Sequence, residues 1–267
     1  MSLETQIAAL VAASNSLTAA VNGKIAQVDA KVVALEGAVP NTLKSLLSVA
    51  VYVDGQTGDD TNSGSSGSPL KTINAALKRG ISGCSISIIL KCGQEYRLSG
   101  NQYVTNQFIT IRPWGNDTKP VISFETKEGG AVDVLSLMAC SLRLNGVKLK
   151  HPYRDGITSA VTEPLTNGLI LAHSSTVSLD YGEIGGSNVR AEIDMGADPK
   201  AVFVVADRSM SYLNINTTDI TGSAGTVIKL RTNGMATLRV ASVSKAAGIE
   251  FYPAATVKSN IDVITNS

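Results

Sequence analysis

The chain has 267 residues, and its 23 lysines and arginines against 22 aspartates and glutamates leave a formal net charge of +1. A balance this even argues against nucleic-acid binding through a basic face. Charged residues make up 17% and aromatic residues 4% of the chain, a composition more typical of stacked β-structure than of a globule rich in Leu and Phe.

The apolar segments are short. None approaches the roughly 20 residues that a helix needs to cross a bilayer, and the N-terminus lacks the basic and apolar regions of a signal peptide. We therefore expect neither membrane insertion nor secretion by a signal peptide. Cys84, Cys92 and Cys140 are too few and too unevenly spaced for a disulfide framework or a zinc site. We expect buried free thiols, no metal and no other cofactor.

Residues 1–47 are predicted to form an N-terminal helical stalk. Residues 1–39 contain no proline, and apolar residues recur at alternating spacings of three and four, the a/d pattern of a coiled coil. Gly37 and Pro40 are expected to end the helix. The predicted seam consists of Ile7, Leu10, Leu17, Val21, Ile25, Val28, Val32 and Leu35.

β-branched residues occupy both kinds of seam position. This choice favours three strands or more over two, so we expect a parallel homotrimer. A helix this rich in Ala, Ser, Asn and Val is marginal in water on its own and needs a partner. The alternative is an amphipathic helix folded back onto its own domain.

Residues 48–80 indicate an opening strand, a polar loop and a short helix. Val49–Asp54 is strand-like, and the segment PLKTINAALK at 69–78 places Leu70, Ile73 and Leu77 on one helical face. Pro69 is expected near the first turn, where proline is tolerated.

The loop between them carries several acidic and amide side chains. Asp54, Asp59, Asp60 and Asn62 do not meet the spacing of an EF-hand calcium loop. We interpret them as turn residues whose side chains bond nearby backbone groups.

The segment YVDGQTGDDTNSG at 52–64, followed by PLKTINAAL, resembles the opening of right-handed parallel β-helix proteins of the pectate-lyase-like class, especially bacteriophage tailspikes and tail fibres. In that family a short helix caps the N-terminal end of the β-helix, a role the resemblance gives to residues 70–78. The first 25 residues likewise resemble helical attachment segments of phage tail appendages. The resemblance implies an all-β body at 81–267, a right-handed parallel β-helix behind the coiled-coil stalk.

Strand-like triplets recur in the body in two sets that step together. The offsets are 37, 33, 25 and 22 residues in the first set and 37, 34, 25 and 23 in the second. Because the two sets have nearly the same offsets, we expect each repeat to form one turn of strands. The apolar members of each triplet are expected inside and the middle residue outside. The first set is Val132–Val134, Leu169–Leu171, Val202–Val204, Val227–Lys229 and Ile249–Phe251; the second is Leu142–Leu144, Leu179–Tyr181, Leu213–Ile215, Leu238–Val240 and Ile261–Val263.

The middle residues of the second set are predicted to form a row on the outer surface. They are Arg143, Asp180, Asn214, Arg239 and Asp262. Opposite charges on adjacent strands stabilise each other modestly, so we interpret Asp180 as a ladder partner of Arg143 rather than as a catalytic acid.

The long offsets locate two insertions, 150–167 and 186–200, which we expect to be neighbouring loops. Their polar and aromatic groups suit contact with a sugar, although packing against another subunit is an equal alternative. The candidate receptor-binding residues are Tyr153, Arg154, Asp155, Arg190, Glu192 and Asp194. Asp155, Glu192 and Asp194 also offer carboxylates for a glycosidase pair, but the sequence gives no separation and we assign no catalytic residue.

Three functions remain open. The first is a non-enzymatic phage tail appendage in the virion, made in the host cytoplasm, which docks to a tail or baseplate protein through residues 1–47 and binds a host surface glycan or protein. The second is a tailspike depolymerase that cleaves a surface polysaccharide. The third is a structural adaptor that carries another fibre through its C-terminal end, residues 249–267.

Overall fold

A computed structural model describes residues 2–161, 167–231, 233–253 and 261–266. The chain divides into two compact units, Met1–Leu47 and Ser48–Ser267. The first unit is one helix, α1 (Leu3–Leu47). The expectation that Gly37 and Pro40 end this helix is wrong, because α1 continues through both residues. A proline inside a helix removes one backbone hydrogen bond, while the turns on either side keep theirs.

The predicted seam of α1 is exposed. Its eight apolar residues, from Ile7 to Leu35, are between 47% and 72% exposed. A side chain of this kind gains free energy when it leaves water, so the helix presents an apolar stripe that its own residues do not cover.

The second unit is mostly β. Its elements in chain order are β1 (Ser48–Val53), α2 (Ile73–Leu77), β2 (Ser85–Lys91), β3 (Glu95–Leu98), β4 (Gln102–Thr105), β5 (Phe108–Trp114), β6 (Val121–Phe124), β7 (Leu135–Met138), β8 (Ser141–Asn145), β9 (Lys148–Lys150), β10 (Gly168–His173), β11 (Thr176–Asp180), β12 (Gly182–Ile184), β13 (Ser187–Val189), β14 (Ala191–Asp194), β15 (Val202–Ala206), β16 (Met210–Thr221), β17 (Gly225–Leu230), β18 (Met235–Lys245), β19 (Ile249–Glu250) and β20 (Ile261–Asn266).

These strands form three ladders of parallel neighbours. The first ladder runs β1-β2-β5-β8-β11-β16-β18-β20, and the second runs β3-β6-β9-β14-β16-β18. The long strands β16 and β18 take part in both, so the two ladders form one curled sheet. The third ladder, β4-β7-β10-β15-β17-β19, is a separate sheet. Among the described strands, only the pair β12 and β13 is antiparallel.

The chain visits the ladders in a fixed order. Strands β2, β3 and β4 take the first, second and third ladder in turn, and β5, β6, β7 and then β8, β9, β10 repeat the order. Strands β11, β14 and β15 do the same around the inserted hairpin β12–β13. In the last rounds one long strand serves the first two ladders, as β16 does before β17.

Apolar side chains stack in rows inside these ladders. One row of the first ladder joins Ile86, Ile109, Leu142, Val177, Leu213 and Leu238, all at most 1% exposed. Period-two alternation turns the intervening residues outward. The predicted match of Leu213 to Leu238 is confirmed.

Other predicted matches in the second set are shifted by two residues. Arg143 lies opposite Ser178, not Asp180, and Asp180 lies opposite Asn145. The interpretation of Asp180 as the ladder partner of Arg143 is therefore wrong. A shift by two keeps each side chain on its face, and it brings Val177 into the core, where it is fully buried.

The outward row of that ladder changes accordingly. Arg143, Ser178, Asn214 and Arg239 are neighbours, and the next strand contributes Ile264. Asp262 lies opposite Thr237 instead, so this predicted member of the row is also wrong.

The third ladder departs further from prediction. Val202 lies opposite Gly168 rather than Leu169, a shift of one residue. Middle residues predicted to face outward, Ile170, Phe203 and Ile228, are at most 1% exposed. Strand β15 is buried along its whole length, and alternation on a sheet buried on both faces no longer separates inside from outside.

The short helix α2 begins three or four residues later than predicted. Thr72 is its N-cap and accepts a hydrogen bond from the Ala75 N–H. Pro69 and Leu70 precede the helix, and Leu70 forms a parallel bridge to Val53. The expected apolar face is confirmed for Ile73 and Leu77, which are buried. Leu70 is also buried but lies before the helix, so its placement on a helical face is wrong.

The polar loop before α2 is held by its carboxylates. Asp54 is 1% exposed. It accepts hydrogen bonds from Thr57 and Gln94 and forms an ion pair with Lys91 at 2.6 Å. Burial alone would raise the pKa of Asp54, but these donors outweigh it and lower the pKa well below its usual value. Asp60 accepts from the backbone of Lys71 and Thr72. These contacts agree with the interpretation as turn residues.

No helix in the described part of the chain combines the length and apolar character needed to span a membrane.

Candidate functional site

The outward face of the second ladder is charged. The pattern KLK of β9 lies beside the pattern EID of β14, with Lys148 opposite Glu192 and Lys150 opposite Asp194. In both strands the middle residue, Leu149 or Ile193, enters the core. Alternation therefore puts all four charged side chains on the same outer surface.

Lys148 joins the two carboxylates of β14. Its Nζ lies 2.8 Å from Glu192 Oε1 and 3.2 Å from Asp194 Oδ2. Burial lowers the pKa of Lys148, but the hydrogen bonds that it donates to Glu192 and Asp194 outweigh this effect, and the pKa lies above its usual value. Lys119 adds a second cation, 3.4 Å from Glu192. The carboxylates are thus neutralised in place by fixed ammonium groups.

The 3₁₀ turn Pro152–Asp155 lies over this face. Its Arg154 reaches Asp194 Oδ2 at 3.3 Å, and its Asp155 reaches Lys150 Nζ at 3.2 Å. Gly196 permits this approach: its φ is +74°, and a Cβ there would lie 2.7 Å from the Arg154 nitrogen. A side chain at Gly196 would displace the turn.

Two cavities lie beside the turn. One of about 270 Å³ is lined by Arg154, Asp194, Gly196, Ala197, Thr221, Gly222 and Ser223. The other, of about 200 Å³, is lined by Glu95, Arg97, Ser123, Phe124, Glu125, Thr126, Lys150, Pro152, Asp155 and Ile157. Both combine donors and acceptors, a mixture that suits a hydroxyl-rich ligand.

Four of the predicted site residues are brought together here: Arg154, Asp155, Glu192 and Asp194. The two insertions do lie side by side, since Ser159 N donates to Asp198 at 2.9 Å and Lys200 Nζ donates to the Ser159 carbonyl at 2.7 Å. The expectation that 186–200 is all loop is wrong, because β14 occupies Ala191–Asp194. Part of the first insertion, 162–166, lies outside the described residues.

Tyr153 does not belong to this surface. It is 2% exposed, and its hydroxyl donates to the Gly130 carbonyl at 2.8 Å and lies 3.1 Å from Asn167 Oδ1. Its ring packs against His151, with centroids 4.3 Å apart. This burial conflicts with the prediction that Tyr153 contacts a receptor. The buried side chain instead anchors the 3₁₀ turn to the body.

Arg190 is already engaged by the protein. Its Nε donates to Asp219 at 2.7 Å, and its guanidinium also donates to the carbonyls of Thr218 and Ser242. These contacts tie the residue that precedes β14 to β16 and β18. Because its guanidinium is already hydrogen-bonded within the protein, Arg190 has a structural role and is not a free contact for a ligand.

The sequence reasoning missed Arg97, Ser123 and Lys148. The matching alternation of KLK and EID was visible in the sequence. Only the register, however, shows that these strands are neighbours.

His/Cys/Asp/Glu groups of three or more that could hold a metal do not occur among the described residues. The three cysteines are free; Cys92 and Cys140 are buried and Cys84 is partly exposed. Comparisons with protein-family models, curated proteins and solved structures found no match to this chain.

Proposed function

We propose that the chain is a homotrimeric phage tail appendage that binds a surface glycan of the host without cleaving it. In this proposal α1 forms the coiled-coil stalk that docks to a tail or baseplate protein. The parallel ladders form a right-handed β-helix whose first turn is capped by α2. The protein is then part of the virion, made in the host cytoplasm.

The observation that carries the proposal is the exposed apolar seam of α1. The body buries its apolar rows within one chain, whereas eight seam residues at heptad spacing stay at least 47% exposed. Helices of this pattern bury such seams against copies of themselves. In this proposal the stalk supplies both the trimer contacts and the attachment segment.

The fixed order in which the chain visits three parallel ladders supports the β-helix. Each round places one strand in each ladder, so neighbouring rounds stack through parallel hydrogen bonds. The first strand of such a stack exposes an edge and an apolar layer. Leu70, Ile73 and Leu77 supply the buried cover that this end needs.

The charged face is the surface we assign to the receptor. Arg154 and Asp155 are both 57% exposed, and each is held by an ion pair to the sheet beneath. Preorganised donors and acceptors of both signs can bond sugar hydroxyls without a large ordering cost. A glycan suits these groups better than a charged or purely apolar ligand.

A depolymerase remains the second candidate because Glu192 and Asp194 are close. Both reach the same Lys148 ammonium, at 2.8 and 3.2 Å, so these two oxygens lie within about 6 Å of each other, a bound that is compatible with the separation of about 5–5.5 Å in retaining glycosidases. A glycosidase, however, needs one of its pair as a protonated acid. Both carboxylates are instead engaged in ion pairs with the Lys148 ammonium, which supports binding over hydrolysis.

The test is binding of the labelled full chain to an array of bacterial surface polysaccharides. We expect at least one polysaccharide to be bound, Arg154→Ala to weaken that binding, and Arg239→Ala, an exposed arginine on the first ladder, to leave it unchanged. Release of reducing ends by the wild type would indicate the depolymerase. Absence of all glycan binding would overturn the receptor proposal, and capture of another tail protein by residues 249–267 would then indicate the adaptor.

A further inference from the structure

The smaller cavity beside the 3₁₀ turn carries a more specific inference. Its floor is the outward face of β3, β6 and β9, where Arg97, Ser123 and Lys150 lie side by side in register. Pro152 and Asp155 of the turn form one wall. A volume of about 200 Å³ is suited to a single sugar ring and not to a longer oligosaccharide.

Ser123 is the unusual group in this floor. The residue is 7% exposed, and its Oγ has no hydrogen-bond partner within the described part of the chain. Its neighbours Ile122 and Phe124 enter the core, so Ser123 lies on the outward face of β6, which lines the cavity. Buried hydroxyls nearly always have a partner, and an unpaired one calls for an explanation such as a missing ligand.

The charged groups around Ser123 are loosely paired. Arg97 lies 3.8 Å from Glu125, and Lys150 lies 3.8 Å from Glu95 and 3.2 Å from Asp155. The two 3.8 Å pairs are long, and the side chains of Arg97, Glu125 and Glu95 are largely exposed, so these pairs contribute little to stability and leave their groups available to a ligand hydroxyl. The shorter pair holds Asp155 beside Lys150. With three carboxylates against two cations, the cavity disfavours an acidic sugar.

Apolar atoms complete the lining. Pro152 and Ile157 border the cavity, and Ile157 is 37% exposed. A sugar ring has a face of C–H groups and an edge of hydroxyls, so a cavity with an apolar wall and a polar floor fits it in one orientation.

From these contacts we infer that the cavity binds one neutral sugar unit of the receptor, with a sugar hydroxyl bonded to Ser123 Oγ. This inference rests on the proposed glycan-binding function and assigns it a subsite. Arg97 and Lys150 donate to flanking hydroxyls, and Asp155 accepts from them.

The test is saturation-transfer NMR of the full chain with methyl glycosides at millimolar concentration. The probes are methyl glycosides of neutral hexoses, 6-deoxyhexoses and N-acetylhexosamines, with a methyl glucuronide as the acidic probe. We expect signal from at least one neutral glycoside and less from the glucuronide. No signal from any neutral probe, or preference for the glucuronide, would overturn the inference.

Variants of Ser123 locate the signal. Ser123→Ala removes one hydrogen bond and should weaken binding about three- to tenfold, and Ser123→Val should abolish it by filling the floor. The matched control is Ser178→Ala, an outward serine on β11 of the first ladder. Signal that survives Ser123→Val would place the sugar elsewhere and refute the subsite.

Two further measurements separate the possible failures. Thermal unfolding of each variant shows that it is folded; loss of an unpaired hydroxyl in Ser123→Ala should not lower the melting temperature. Polysaccharide binding on the array, measured in parallel, tests the proposed function itself. For the wild type, array binding without a glycoside signal would refute the subsite alone, whereas no binding in either assay would refute the proposed function as well.

Discussion

Apolar side chains are exposed along helix α1 but buried in the β-body. In the body, rows such as Leu142, Val177 and Leu213 are at most 1% exposed within a single chain. In α1, side chains of the same kind at heptad spacing are about half exposed or more. The body therefore contains its own source of stability, while the helix leaves its apolar seam uncovered.

The largest effect should come from breaking the helix seam. Val21→Asp together with Val28→Asp places charges in the predicted trimer core, so the mass by light scattering should fall from about three times 27.8 kDa to 27.8 kDa. Gln27→Asp, next to the seam, is the control and should keep the trimer. A double variant that stays trimeric would mean that the bodies associate by themselves.

The body should respond to loss of a buried ring. Phe203 is fully buried, whereas Phe108 is 60% exposed. Phe203→Ala should lower the free energy of unfolding by about 3–5 kcal/mol because it leaves a cavity. Phe108→Ala should change it by less than about 0.5 kcal/mol. Chemical denaturation of both variants measures the difference, and equal effects would contradict the assigned burial.

Acid should weaken the body through His151. This histidine is fully buried, its Nδ1 accepts from the Tyr153 N–H, and its Nε2 lies 3.0 Å from the Asn167 carbonyl. Burial lowers its pKa to about 4, although the Asn167 carbonyl and the charge of Asp198 act in the opposite direction. The folded protein therefore keeps His151 neutral at pH values where the unfolded chain, with a pKa of about 6.5, protonates it.

Between these pKa values the unfolded chain binds more protons, so stability falls as the pH is lowered from about 6.5 to about 4. The loss should be about 3 kcal/mol over this window. Denaturation series at several pH values measure it, with His151→Gln as the comparison. The variant should have a shallower slope in the window, and an identical slope would show that other groups are responsible.

The smallest effect should come from the exposed rim of the charged face. Arg154 is 57% exposed, and its partner Asp194 keeps Lys148 when Arg154 is removed. Arg154→Ala should therefore lower stability by less than about 0.5 kcal/mol. Thermal unfolding measures this, and a large loss would mean that weakened glycan binding by this variant reflects unfolding.

Sequence periodicity by itself determined the kinds of element. Heptad spacing predicted the helix and the positions of its seam, and period-two alternation predicted core members of the strands, such as Leu142 and Leu213. Composition and spacing also indicated free cysteines and the apolar face of α2. These features depend on residues that are close together in the chain, and the spacing of apolar residues is therefore enough to predict them.

Only the tertiary structure decided which strands and residues are neighbours. Triplets of Val, Ile and Leu are interchangeable, and a slip by two residues keeps every side chain on its face, so nothing local distinguished Ser178 from Asp180 as the partner of Arg143. The same register pairs Lys148 with Glu192, and the packing of the turn buries Tyr153. The charged face and its Ser123 cavity arise from contacts between distant parts of the chain, which the length and geometry of the intervening turns set.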